Sequence, residues 1–361
     1  MRIALDATPL TLPRGGLRRY VEELVAALAE LEPRDEIHLL TDQPFAPPER
    51  LRRLPNLVIE PPRGPRFFGK WWSLALPWEL RRRRIDVFHG TNFEAPYAPA
   101  APAVVTLHDL SPWKPYPLRP VGSDRVRRRA PWALALARLV VTPTEAIRRE
   151  ALGRFGLSPE RVVAVPHGAA PSLAPGPGEA LSPVVAKTGL RGPYALYVGD
   201  GGLRKNLAGL IAGWHRARRA QPALQLALAG VARGQAPPHA DLFVFPEATD
   251  AEIRALLSGA SAFVYPSLYE GFGLPVVEAM QAGAPVVASD DAALREIAAG
   301  AAVHVDARSA TELGEALARV IGDDEFADEL RRRGRCRAAS LPWRLTAERT
   351  RAAYVRAASR A

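Results

Sequence analysis

The sequence holds a single cysteine, Cys336, and only four lysines, Lys70, Lys114, Lys187 and Lys205, among 361 residues. One thiol excludes an internal disulfide, and any zinc site would have to rest on histidine and carboxylates. No apolar run approaches the ~18 residues that a membrane-spanning helix needs. The first residues, Met1-Arg2-Ile3-Ala4-Leu5-Asp6, read as a strand and lack the apolar core of a signal peptide, so secretion is not expected. No G-x-x-x-x-G-K-[ST] pattern occurs, which argues against P-loop chemistry. No two aspartates stand two apart, so the short Asp-x-Asp metal clamp on a sugar diphosphate is missing as well.

What is present is arginine, alanine and proline. Lys plus Arg is 48 against 38 acids, a formal net charge of +10. That balance favours an anionic partner: a nucleotide, a membrane surface or nucleic acid. Scattered arginine with acids interspersed does not suit nucleic acid, which would call for a dense basic and aromatic surface. Proline, 35 residues, is about twice the usual ~5 %. A hydrophobic fraction of 48 % argues against disorder. The length suggests about two domains.

Short apolar strands alternate with amphipathic helices along the whole chain, which predicts an α/β fold on parallel sheets. The boundaries read as a first domain over 1–170, a Pro/Gly linker over 171–193, a second domain over 194–342 and a final helix over 343–361. Two α/β domains on a hinge imply a cleft where a ligand would sit. The arginine runs at 81–84, 127–129 and 331–333 read first as solvated helix faces.

The most informative string is Glu270-Gly271-Phe272-Gly273-Leu274-Pro275-Val276-Val277-Glu278, which follows the strand Phe263-Val264-Tyr265. Its glycines allow close backbone approach. Pro275 suits a first helical turn, and a helix start offers free N–H groups to an anion. Glu278, about a turn in, can accept from a vicinal diol such as ribose, and Glu270 can do the same for a sugar. A second string, Val198-Gly199-Asp200-Gly201-Gly202-Leu203-Arg204-Lys205-Asn206, is again strand, Gly-rich turn and helix start. Arg204 offers a planar fork and Lys205 a compact charge for a leaving diphosphate. With no metal clamp, such fixed cations can stabilise the departing charge. In the first half, Gly15-Gly16 lies between a strand and its helix, so its N–H groups could face the diphosphate across the cleft. His108 follows a strand, where it could bond a phosphate or an acceptor hydroxyl. His167 reads as a structural residue near the hinge.

Taken together these segments resemble the retaining glycosyltransferases of family GT4, whose GT-B fold sets two Rossmann-like domains facing each other across a cleft. Glu270 and Glu278 are similar to the E-x7-E motif, and Val198-Gly199 with Arg204-Lys205-Asn206 to the diphosphate segment. Pro143-Thr144-Glu145, Val165-Pro166-His167-Gly168, and Ala288-Ser289-Asp290 with Arg295-Glu296 follow in order. His167 stands where Asn is common, and Arg295-Glu296 replaces the frequent Pro-Glu. The resemblance implies catalytic roles for His108, Arg204, Lys205 and Glu270. It implies donor binding by Gly15, Gly16, Gly199, Arg204, Lys205, Phe272, Gly273, Leu274 and Glu278. It also implies that the final helix crosses back onto the first domain.

The expectation is a retaining, metal-independent transfer from a nucleotide-sugar, GDP-mannose favoured and a UDP-sugar possible, to a hydroxyl of a glycan or lipid-linked acceptor. No cofactor, no metal and no nucleic acid are expected. The place expected is the cytoplasm, with peripheral contact on the inner membrane face through Phe67-Phe68-Gly69-Lys70-Trp71-Trp72 and Arg81–Arg84. The rival readings are a sugar-nucleotide epimerase or phosphorylase on the same fold, and a non-catalytic protein that binds a nucleotide-sugar or anion.

Overall fold

A computed structural model describes residues 1–60, 70–98, 100–174 and 189–359. Most of the expected linker and the aromatic residues Phe67 and Phe68 lie outside the described residues. The chain divides into two compact units. The first comprises Met1–Trp113, Val121–Gly168 and Pro342–Ala361, and the second Lys114–Pro120 and Ala169–Leu341.

In the first unit the strands are β1 (Arg2–Asp6), β2 (Glu36–Leu40), β3 (Leu57–Val58), β4 (Val87–Gly90), β5 (Ala103–Thr106), β6 (Leu139–Thr142) and β7 (Val162–Ala164). They form one parallel sheet in the order β3-β2-β1-β4-β5-β6-β7. The helices are α1 (Gly16–Leu31), α2 (Glu49–Arg52), α3 (Leu76–Arg82), α4 (Asp124–Leu136) and α5 (Glu145–Phe155). Helix α1 buries Tyr20, Val21, Leu24, Val25 and Leu28, a stripe at helical spacing. Removing a leucine of that stripe from water contributes roughly 1.5–3 kcal/mol.

The second unit carries β8 (Tyr194–Val198), β9 (Gln225–Ala229), β10 (Leu242–Phe245), β11 (Ala262–Tyr265), β12 (Val286–Ser289) and β13 (Val303–Val305). These strands form a second parallel sheet ordered β10-β9-β8-β11-β12-β13. Its helices are α6 (Leu207–Ala217), α7 (Asp250–Gly259), α8 (Leu274–Ala282), α9 (Ala292–Ala298), α10 (Ala310–Gly322) and α11 (Asp324–Ala339). The last helix, α12 (Trp343–Ser359), belongs to the first unit. It buries Trp343, Thr346, Ala347, Thr350, Ala353, Tyr354 and Ala357. Its Thr346 hydroxyl donates to the Pro166 carbonyl at 2.7 Å, and Arg351 pairs with Asp35 at 2.7 Å.

The strands at the centre of each sheet, β1, β4, β5, β8, β11 and β12, are buried almost throughout, as parallel sheets covered by helices on both faces require, while β3, β7, β10 and β13 are partly exposed. Each sheet reverses its strand order once, between β1 and β4 in the first and between β8 and β11 in the second. Such switch points leave a crevice at the strand C-terminal ends, and that is where open α/β sheets take ligands.

The described part of the stretch expected at a membrane surface is mixed: Lys70, Arg81, Arg82 and Arg84 are exposed, whereas Trp71 and Arg83 are buried. Trp71 is buried, and Arg82 and Arg83 both bind the buried Glu79, at 2.7 and 2.8 Å. A carboxylate at that depth requires a cationic partner, so these arginines are engaged within the fold.

Candidate active site

The two strings singled out in the second half meet because β8 and β11 are neighbours. The loop after β8 carries Gly199 to Asn206, and the loop after β11 carries Glu270 to Gly273. The Leu268 amide donates to the Arg204 carbonyl at 2.8 Å, which ties the two loops together. At Gly199 an added Cβ would lie 2.6 Å from the Tyr197 hydroxyl, so only glycine fits that turn. Leu203–Lys205 form one 3-10 turn before α6, and Lys205 is buried in it.

Three charged groups converge there. Lys205 Nζ lies 2.6 Å from Glu270 Oε1, and Arg204 Nη1 lies 3.0 Å from the same oxygen. Lys205 also donates to the Tyr265 hydroxyl at 2.7 Å, and Arg204 donates to the Tyr269 carbonyl at 2.7 Å. Burial alone would push the Glu270 carboxyl up, but the Lys205 and Arg204 charges outweigh it and hold it at about 2. Glu270 is therefore a fixed anion, and both cations are aimed by it. Burial, with the Glu270 charge, drives the Tyr265 hydroxyl well above its ordinary range, so it stays a neutral partner.

Helix α8 begins just after Glu270. Gly273 precedes it with φ 90°, and an added Cβ would meet Leu294 Cδ2 at 2.5 Å, so both backbone and space demand glycine. Phe272 and Leu274 are buried on either side of it. Pro275 stands in the first turn, and Glu278 is buried on the same helix. Asp291 caps α9 by accepting from the Ala293 and Leu294 amides at 2.9 and 3.2 Å. Its other oxygen lies 3.4 Å from the Glu270 amide, and burial pushes its carboxyl up to about 6.

The remaining expected residues lie in the first unit. Gly15, with φ 117°, precedes α1, and Gly16 is its first residue. His108 follows β5, and its Nε2 donates to the Thr91 carbonyl at 2.8 Å. In the neutral ring that leaves Nδ1 as an acceptor. The Tyr20 ring meets His108 edge-on at 4.8 Å and also touches His167 at 4.6 Å. His167 stacks on Trp343 at 5.9 Å, so it is a wall of the His108 surroundings. Beneath them runs a buried chain of hydrogen bonds. Tyr20 Oη bonds Thr106 Oγ1 at 2.9 Å, Thr106 Oγ1 bonds His89 Nε2 at 2.7 Å, and His89 Nδ1 bonds Tyr354 Oη at 2.6 Å. Burial lowers all three imidazoles, His89 to about 3, His108 below its usual range and His167 well below it.

Sequence reasoning thus found Arg204, Lys205 and Glu270, which come together, and Glu278, which is buried one turn into the adjoining helix. It missed Tyr265 and Asp291 in the second unit, and Tyr20 and Trp343 in the first. The signals were faint: a tyrosine ending an apolar strand, a second aspartate beside Asp290, and a tryptophan opening the last helix.

Residues 185–337 match the family described as Glycosyl transferases group 1, and residues 14–173 match Glycosyltransferase Family 4. Over 98 % of this chain and 99 % of the relative, the sequence is 29 % identical to O-antigen chain mannosyltransferase B of Escherichia coli. It is 30 % identical to alpha-maltose-1-phosphate synthase of Mycolicibacterium smegmatis, over 69 % of this chain and 71 % of that protein. Among solved structures, sucrose-phosphate synthase of Thermosynechococcus elongatus superposes with a TM-score of 0.73 at 21 % identity, over 98 % of both chains. The Anabaena protein Alr3699/HepE in complex with UDP-glucose does so with a TM-score of 0.76 at 17 % identity, over 98 % of this chain and 99 % of the other.

Proposed function

The chain belongs to the group 1 and Family 4 glycosyltransferases, a hexosyltransferase on the GT-B fold, and from that premise we propose how its residues divide the work. The donor is a nucleotide-sugar held by the second unit. Arg204 and Lys205 take the diphosphate, Glu278 takes the ribose, and Glu270 with the backbone of Phe272, Gly273 and Leu274 takes the sugar. The α8 N-terminus and Gly199 border the phosphates, with the N–H groups of Gly15 and Gly16 assigned to the same ligand. GDP-mannose is the favoured donor, since mannosyltransferases are among the relatives, with a UDP-sugar as the alternative.

The observation that carries this reading is the convergence of Lys205 and Arg204 on one oxygen of Glu270 at the switch point of the sheet. Two cations held by one anion leave a net positive charge in a buried place. When the bond from the anomeric carbon to the diphosphate oxygen breaks, negative charge grows on that oxygen. Cations already in position stabilise it without reorganising. The acceptor oxygen bonds the anomeric carbon on the face that the diphosphate leaves, and its proton passes to the departing phosphate oxygen. The anomeric configuration is then retained, and neither a metal nor a protein nucleophile is required. His108, neutral and with a lone pair on Nδ1, is assigned to a hydroxyl of the reacting sugar or acceptor. The acceptor is a hydroxyl of a glycan or of a lipid-linked saccharide.

A thermal-shift panel of GDP, UDP and ADP tests the donor, because a ligand that binds the folded state raises its stability. One base should stand out. Equal and negligible shifts for all three would contradict the assignment. Retention is read from the product anomer by NMR, and metal independence from unchanged turnover in a chelator.

A further inference from the structure

The arginines of this chain are not all employed alike. On α11, Arg331 pairs with Asp328 at 2.6 Å, and Arg332 and Arg333 pair with Glu329 at 2.7 and 2.6 Å. That helix neutralises itself. On α4, Arg125 and Arg129 share Glu94 at 3.3 and 3.4 Å, and Arg127 lies 3.7 Å from the exposed Asp124. Arg128 makes no ion pair or hydrogen bond among the described residues, and neither does Arg154 at the end of α5. Five arginines thus face two carboxylates.

The shape around them is specific. An open cavity of about 640 Å³ is lined by Trp113, Phe155 and Pro131 together with Arg127, Arg128 and Arg154, and Asp124 is the acid among its described lining residues. Trp113 meets Phe155 edge-on at 5.1 Å. Helix α4 buries Ala130, Ala133 and Leu134. Its opposite face therefore presents Arg125, Arg128, Trp132 and Leu136, at steps of three and four residues. Trp132 is 70 % exposed there and Leu136 40 %, while Val121, just before the helix, is fully exposed. A tryptophan and a leucine beside the unpaired Arg128 and the Glu94-paired Arg125 on the solvent side depart from the usual pattern, in which the outer face is polar throughout.

We propose that this α4 face, with the arginine-lined cavity beside it, docks on an anionic phospholipid surface. The phosphate groups enter among Arg127, Arg128 and Arg154, and Trp132, Leu136 and Val121 enter the interfacial layer. Charge complementarity selects this occupant. Guanidinium groups fork onto phosphate oxygens, and tryptophan favours the headgroup region. The proposal gives a place to the lipid-linked acceptor and rests on that reading for its purpose, though not for its binding.

The test is co-sedimentation of the full chain with vesicles of phosphatidylglycerol and phosphatidylcholine, or of phosphatidylcholine alone. The chain should partition onto the anionic vesicles and not onto the neutral ones, with the affinity falling as salt rises. Each free arginine near such a surface is worth roughly 5-fold, so the double variant Arg128→Glu, Arg154→Glu should weaken partition by about 25-fold or more. Trp132→Ala should weaken binding at unchanged salt dependence, and Arg332→Glu on α11 should leave it within about 2-fold. The nucleoside diphosphate thermal shift of the double variant should equal that of the parent, which separates this surface from the donor site. Equal binding to neutral vesicles, or full binding by the double variant, would overturn the proposal. So would displacement by inorganic phosphate at matched ionic strength, which would mark a site for a free phosphate.

Discussion

At the switch point of the second sheet, Lys205 and Arg204 close on Glu270 over 2.6 and 3.0 Å, whereas the switch point of the first is joined by neutral groups, Tyr20, Thr106, His89 and Tyr354. Both clusters are buried, yet burial acts on them in opposite ways. In the second unit opposite charges overcome desolvation and keep Glu270 ionised. In the first, desolvation keeps the His89 and His167 imidazoles uncharged. One cluster concentrates charge, which we assign to a ligand diphosphate. The other is built to hold hydrogen bonds and ring contacts around His108 without contributing charge.

The largest effects should fall on the charged cluster. Lys205→Ala removes one of two preset cations and should lower kcat/KM by about 10³-fold, the scale found for a lost transition-state donor. Turnover within a few-fold of the parent would break the comparison. Glu270→Gln removes the shared anion. We expect kcat to fall about 10²-fold while nucleoside diphosphate affinity holds or rises, because two cations then face the ligand uncompensated. A fall in both would mean that Glu270 only supports the fold. Glu278→Ala should raise the Kd of the nucleotide about 10-fold, on the scale of lost hydrogen bonds to a charged group, and leave thermal stability nearly unchanged. Loss of affinity for inorganic diphosphate in that variant would place Glu278 on the wrong group.

The clusters were unequally legible in sequence, for a physical reason. Arg204 and Lys205, and Glu270 and Glu278, sit in two short strings, each a strand, a glycine-bearing loop and a helix start. Parallel neighbours in a sheet bring such loops together whatever the rest of the chain does. The first unit offers no such string. Tyr20, His108, His167 and Trp343 come from four distant segments and meet only because α1 and α12 pack over the same sheet. His167, read as structural, proves to be part of the His108 surroundings. Tyr265 and Asp291 were missed because their roles depend on what they face, and strand register does not spell that out. The arginine runs on α4 and α11 differ in a way the sequence does spell out: on α11 Asp328 and Glu329 stand three and four residues before their arginines, whereas α4 carries Asp124 alone, and only the pairing of Arg125 and Arg129 with Glu94 depends on the fold.

Acid sharpens the comparison at a smaller scale. An imidazole whose folded pKa is depressed binds its proton more readily in the unfolded chain, so its contribution to stability falls as pH drops below the ordinary 6.5. His89, at about 3 when folded, should alone cost roughly 1.4 kcal/mol at pH 5.5 relative to neutral pH. His108 and His167 act in the same direction. Glu270, depressed to about 2, contributes stability above its ordinary 4.5 and loses it only as pH falls from there toward 2. Asp6 and Asp291, raised by burial to about 6, act in the opposite direction over the same range, so the imidazoles are best read one by one. NMR titration should show His89 neutral down to pH 5.5, and a His89 ring that takes up its proton near the ordinary 6.5 would contradict the neutral-imidazole assignment.

The central claim is that Arg204 and Lys205 form a receptor for a pyrophosphate. Calorimetric titration of the parent and of Lys205→Ala with a nucleoside diphosphate and with its monophosphate reads this most directly. The parent should prefer the diphosphate by at least about 10-fold, the scale of one charge-assisted hydrogen bond, and Lys205→Ala should lose most of that preference. Equal affinity of the parent for the two nucleotides, or an undiminished preference in Lys205→Ala, would contradict the claim.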